Sequence, residues 1–184
     1  MTLVVRHLLL ILLLVGCQQF TYTTSNGEIY GTSYKYRYVH PEAQELDALI
    51  PEKIEKELNR IDLIFSIYKE NSEVLNTSIE DMNSWSKDLR YLYDLSLNLS
   101  EKSKNAFDPL QGRVLDFSAV AKGYAVDKVA DIMKENGIND YFIEIGGEIK
   151  AKGLAPHRGN WKWAIEDPFS MNQKIFKSFS MPFK

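Results

Sequence analysis

One domain of mixed architecture, α+β or α/β, is predicted by three observations. Residues Glu28 to Val39 alternate with period two, placing Tyr30, Thr32, Tyr34, Tyr36 and Tyr38 on one face of a strand. Ile54, Leu58, Ile61, Phe65 and Tyr68 recur at helical spacing and form one apolar stripe. Short apolar runs punctuated by glycines then follow a third segment of helical period. At 184 residues the chain has room for one such domain and a tail. Its formal net charge is −3 with no basic run, which excludes the concentrated positive patch that nucleic acids require.

The N-terminus has a different character. Arg6 and His7 precede an apolar run from Leu8 to Val15, and Leu14-Val15-Gly16-Cys17 follows. This reads as a secretory leader over residues 1–16, too short for a spanning helix. Cys17 is the one cysteine in the chain, so no internal disulfide forms, and its place after the leader suits lipid attachment. The polar residues 17–27 read as a lipidated tether and residues 28–184 as the domain. A mature chain of this kind is exported and anchored to a membrane through Cys17.

Along the domain, Gly31 interrupts the first strand. Pro51 sits at the favoured first-turn position of a helix whose exposed face carries Glu52, Lys53, Glu55, Lys56 and Glu57. Residues 70–82 are polar and loop-like. Ser84 to Lys104 reads as a second helix with Trp85, Leu89, Leu92 and Leu99 inward. A third helix buries Ala125, Val126, Val129, Ala130 and Met133 and stops at Gly137. Tyr141 to Ile145 and Glu148 to Lys152 are strands joined by Gly146-Gly147. Trp161, Trp163 and Ile165 alternate again.

The stretch LDFSAVAKGYAVD, from Leu115 to Asp127, opens the third helix. Ser118 suits an N-cap, Lys122 brings positive charge to the first turn, and Gly123 leaves space beside it. Asp116 could accept from a ligand or orient Lys122. These residues fit either a capped core helix or a phosphate site. Gly146-Gly147 likewise fits a tight turn or a backbone edge against a flat ligand. Neither a Cys/His zinc cluster nor a dinucleotide glycine motif is present.

Taken in order, the lipobox, Tyr30-Gly31-Thr32, IDLIFSIYKENSEVLN, NAFDP, LDFSAVAKGYAVD, YFIEIGGEIKAKG and WKWAIEDP resemble the FAD:protein FMN transferases of the ApbE type. The resemblance implies an α+β flavin transferase domain. It implies transfer of FMN from FAD to a Thr or Ser of a partner protein, with release of AMP and use of magnesium (Mg2+). It implies FAD contacts at Tyr30 (a position usually Met), Tyr68, Asn105, Ala106, Phe107, Asp116 and Lys122. The backbone carbonyl of Ala119 matches a magnesium ligand. Location is expected on the extracytoplasmic side of a bacterial membrane. Against the family pattern, the interval between Phe107-Asp108-Pro109 and Leu115-Asp116 is short, and a later Thr-Ser-Gly stretch with its Asp and Thr is not found before Lys184. A truncated form with an internal deletion is expected, for which the alternatives are a non-catalytic FAD-binding lipoprotein or an inactive remnant.

Overall fold

A computed structural model describes residues 20–41, 44–111, 114–170 and 174–181. The leader over 1–16, Cys17 and the first part of the tether lie outside the described residues.

Strands β1 (Phe20–Ile29) and β2 (Thr32–Pro41) form an antiparallel hairpin in register from Phe20 opposite Pro41 to Ile29 opposite Thr32. The single strand expected over Glu28 to Val39 is therefore two. Tyr30 and Gly31 hold φ of 56° and 70° at the turn, as a two-residue primed turn requires. Alternation alone does not reveal the reversal, because it reads the same on both arms of a hairpin. The tether reading fails for Phe20 to Gly27. Thr21, Tyr22, Thr23 and Thr24 favour extended backbone, and β1 has a single neighbour, so its polar side chains stay wet.

β5 (Asp140–Ile145) and β6 (Glu148–Lys152) complete a four-stranded antiparallel sheet of order β1-β2-β5-β6. Tyr141, Ile143 and Ile145 are buried while their neighbours in β5 are half-buried, so one face of the sheet is core. Tyr36 and Tyr38 lie opposite Ile143 and Tyr141 and join that face.

Helix α1 (Gln44–Phe65) starts before Pro51, not at it. Its stripe begins at Ile50 and continues through Ile54, Leu58 and Ile61, all fully buried. Packing of that continuous stripe outweighs the hydrogen bond that an internal proline removes. The stripe ends with the helix: Tyr68 lies beyond it and is 89% exposed. Helix α2 (Lys87–Lys102) starts later than expected, capped by Ser86, whose hydroxyl accepts from the Leu89 amide at 3.1 Å. Ser84 closes a short 3-10 segment instead, and Trp85 is buried ahead of the helix. Leu89 and Leu92 are buried as expected, but Leu99 is exposed, because α2 runs past the core after Ser96. Helix α3 (Ala121–Glu135) buries the expected face, and Gly137 ends it at φ 75°.

Helices α1 and α3 pack on each other and on the sheet. Phe117, with no exposed surface, meets Phe65 edge-on at 5.7 Å between ring centres. Two short pairs complete the α+β fold: β3 (Leu110–Gln111) with β4 (Val114–Leu115), and β7 (Lys162–Glu166) with β8 (Ile175–Ser180). Trp161, just before β7, is buried against Phe142 at 5.8 Å.

Phe117→Ala removes a ring that has no exposure and is expected to lower stability by about 3–5 kcal/mol. Urea titration checks this, with Leu63→Ala on the exposed side of α1 shifting stability by about 0.5 kcal/mol or less.

Candidate functional site: a cleft where helices α1 and α3 meet

A cleft of about 460 Å³ opens between the β1–β2 turn, the end of α1 and the start of α3. Ile61 and Phe65 form its apolar floor, and Tyr30, Tyr68, Lys69 and Lys122 surround it. Each wall has a local cause. Tyr30 adopts a left-handed backbone unusual for a bulky residue, and its phenol donates to the Leu58 carbonyl at 2.9 Å. Burial pushes the phenol well above its ordinary pKa, and the Asp62 and Glu57 carboxylates push it further, with Arg60 opposing. The ring is thereby neutral and fixed to α1. Tyr68 stands on the rim with its ring open to solvent.

Lys122 occupies the first turn of α3, and the Gly146-Gly147 turn explains its placement. Both glycines have positive φ, 56° and 92°. A Cβ on Gly146 would stand 2.8 Å from Thr32 Cγ2 and 3.1 Å from Lys122 Cδ. The missing side chain thus makes room for the lysine stem and Thr32, while the pair serves as the β5–β6 turn. Of the two readings that the Gly-Gly sequence allows, the tight turn is present, between β5 and β6.

Ser118 is not the N-cap. The amides of Val120 and Ala121 both donate to the Phe117 carbonyl, at 2.9 and 2.8 Å, which delays the first helical residue to Ala121. Val120 takes the cap position and offers no side-chain acceptor. In the first turn of α3 the Lys122 and Gly123 amides therefore remain uncapped, and Lys122 and the exposed Ser118 both line the cleft. Asp116 accepts the Ser118 amide at 2.8 Å, a local turn rather than a contact with Lys122.

The fold thus brings Tyr30, Tyr68 and Lys122 to one cleft, from three separate segments. Other residues assigned by resemblance lie outside its lining. Asn105, Ala106 and Phe107 form the turn that ends α2, where Asn105 has φ 62° and its amide donates to the Ser100 carbonyl at 2.8 Å. Ala119 is exposed in a second groove, beside Gly123, Asp127 and Glu148. Among the described residues no group of three or more His, Cys, Asp or Glu side chains converges to hold a metal ion.

Two cleft residues escaped the sequence reading: Asp62, 8% exposed, and Lys69, paired with it at 2.5 Å. The signal was available. Asp62 sits on the apolar stripe of α1 between Ile61 and Phe65, where a buried face predicts no carboxylate.

Behind the cleft, Asp88 ties three helices together. Its carboxylate accepts from the Tyr124 hydroxyl of α3 and from Arg60 of α1, which also pairs with Glu57 at 2.7 Å. Burial would raise the Asp88 pKa, but the bonds from Tyr124 and Arg60 and the nearby cations more than reverse this, holding it below the ordinary value. Burial first, and then Asp88, push the Tyr124 phenol up.

Comparison with known proteins gives a consistent result. The profile of the ApbE family matches residues 30–116 and 110–182. The FAD:protein FMN transferase of Vibrio cholerae is 44% identical over 68 residues, covering 37% of this chain and 20% of that protein. The one from Haemophilus influenzae is 32% identical over 84 residues, covering 46% and 24%. The matched stretches thus span about a fifth to a quarter of these relatives' length. Among solved structures, the flavin transferase ApbE of Vibrio cholerae superposes with a TM-score of 0.72 at 22% identity, over 89% of this chain and 68% of that one. The apo flavinyl transferase ApbE of Pseudomonas stutzeri gives 0.69 at 27% identity, over 88% and 65%.

Because the Asp88 pKa is lowered by folding, its contribution to stability is present above the unfolded carboxylate value, about pH 4, and is lost as pH falls through the lower folded value. Asp88→Asn is expected to be less stable than the wild type at pH 7. The difference should fade only below about pH 4. Thermal melts of both proteins from pH 7 to pH 3 measure it, and a pH-independent gap would contradict the assignment.

Proposed function

The chain belongs to the ApbE family, and on that premise we propose that it binds FAD in the Tyr30–Lys122 cleft and transfers the FMN half to a partner protein. One observation carries this reading. Two tyrosines flank a pocket of ligand size that also receives a lysine and the uncapped start of a helix. Aromatic walls suit the flat isoalloxazine ring, and the cation with the helix dipole suits the pyrophosphate. Tyr30, where the family usually has Met, presents a ring already locked by its bond to Leu58, so less entropy is lost on binding.

In the proposed reaction a Thr or Ser hydroxyl of the partner attacks the FMN phosphorus. A new P–O bond forms as the hydroxyl proton passes to solvent or to the departing AMP phosphate. The P–O bond to the AMP phosphate breaks, and AMP departs with its electron pair. Lys122 and the α3 amides stabilise charge on the phosphoryl oxygens and place the phosphorus for attack. Magnesium, where bound, would neutralise the same charge. The described residues do not fit a site for it, since Ala119 lines the other groove and no group of three or more His, Cys, Asp or Glu side chains converges there.

The same proposal places the protein on the extracytoplasmic side of a membrane, held by a lipid on Cys17. The support is the apolar run ending Leu14-Val15-Gly16-Cys17. Labelled palmitate is expected in the wild type and absent from Cys17→Ser; equal labelling would sink the anchor.

Titration of FAD fluorescence tests the site. Loss of a charge-assisted phosphate contact in Lys122→Ala should weaken binding by roughly ten- to a hundredfold, and equal affinity would remove Lys122 from the site. Incubation with FAD, magnesium and an acceptor peptide should give FMN-peptide and AMP by mass spectrometry. A folded sample that binds FAD and yields neither is a flavin-binding protein without the transferase activity.

A further inference from the structure

The Asp62 carboxylate lines the cleft but has no part in the reaction proposed above, and its surroundings are unusual. It lies on the apolar stripe of α1, between two residues of the cleft floor, and is 8% exposed. Its one side-chain partner among the described residues is Lys69, which reaches Oδ2 from the rim and is itself 43% exposed. An ionised carboxylate has about four lone-pair positions on two oxygens. No donor reaches Oδ1 among the described residues. Tyr30 is the neighbour best placed to supply one, but its proton is committed to the Leu58 carbonyl. The Ser66 hydroxyl accepts from the Tyr68 amide and makes no hydrogen bond to the Asp62 carboxylate. Asp62 lines the cleft, whereas the fully buried side-chain atoms without a partner among the described residues are Ser72 Oγ and Ser96 Oγ.

A carboxylate oxygen that no protein donor reaches can accept from a ligand that brings an N–H, and a charge-assisted bond in a largely buried site is among the stronger ones. The cleft is thus polarised. One part presents a cation and helix amides to an anion, and the floor presents a carboxylate between aromatic rings. A ligand matching both has phosphate at one end and a flat heterocycle with a ring N–H at the other. We propose that Asp62 is a specificity-determining residue of this site, accepting a hydrogen bond from the imide N–H of a flavin ring. This rests on the FAD reading given above. Lys69 then pairs with Asp62 from the solvent side without occupying both oxygens.

The test is a ratio of affinities. FAD and FAD methylated at the imide nitrogen (N3) are titrated into the wild type, Asp62→Ala and Lys69→Met, each first shown to melt cooperatively. The wild type should bind FAD at least about tenfold more tightly than the methylated form. The ratio should fall to near one in Asp62→Ala and persist in Lys69→Met. A merely structural role for Asp62 would weaken both flavins alike and leave the ratio unchanged, which overturns the proposal. So does a wild-type ratio near one, which decides the matter even if Asp62→Ala fails to fold. A wild type that binds neither flavin overturns the FAD reading and this inference together, whereas tight binding with no discrimination overturns this inference alone.

Discussion

The edge-to-face contact between Phe65 and Phe117 is the constraint on which the rest depends. Phe65 is the last residue of α1, and Phe117 lies just before α3. Packing them together, out of water, brings the C-terminal end of one helix to the N-terminal end of another. Each end has consequences. The chain leaving α1 must turn out toward solvent, which places Tyr68 and Lys69 on a rim. The chain entering α3 wraps around the Phe117 carbonyl, which accepts two amides and leaves the first turn uncapped. A cleft with an aromatic rim and free helix amides follows from one hydrophobic contact. The Asp88 node, with Arg60 from α1 and Tyr124 from α3, holds the same two helices from behind with charge.

Glycine chemistry then aims the lysine. The Gly146-Gly147 turn is set by the β5–β6 register, with Ile145 opposite Glu148. That register carries the turn over Thr32 and Lys122, where a methyl group would collide. Sheet and helix are thereby keyed together at the site. Tyr30 is keyed in the same way through its bond to Leu58, which offsets the strain of its left-handed backbone.

Periodicity made much of this fold legible, and its failures have physical causes. The inward face of α3 and the buried positions of β5 follow from the spacing, because each element has a single apolar side. Period two could not show the β1–β2 reversal, since alternation survives a two-residue turn. The proline rule misplaced the start of α1, because tertiary burial of Ile50 outweighs a local preference. Ser118 looked like a cap, but the cap position moved when Phe117 took two amides. At the site, Tyr30, Tyr68 and Lys122 were named from motifs in three distant segments and lie around one cleft. Asn105, Ala106 and Phe107 were named in the same way, and their backbone instead closes the end of α2.

Asp62 shows what local pattern reading passes over. A stripe is recognised by the residues that fit it, so one that breaks it is easily assigned to the neighbouring wet face. Physical chemistry weights it the other way. An apolar side chain at that position would continue the floor of the cleft and stabilise α1 at no electrostatic cost. A carboxylate there must be desolvated, and a half-exposed lysine on one oxygen is weak compensation. The residue that costs stability where an ordinary one would add it is the stronger indication of a ligand, because folding alone gives no reason for it.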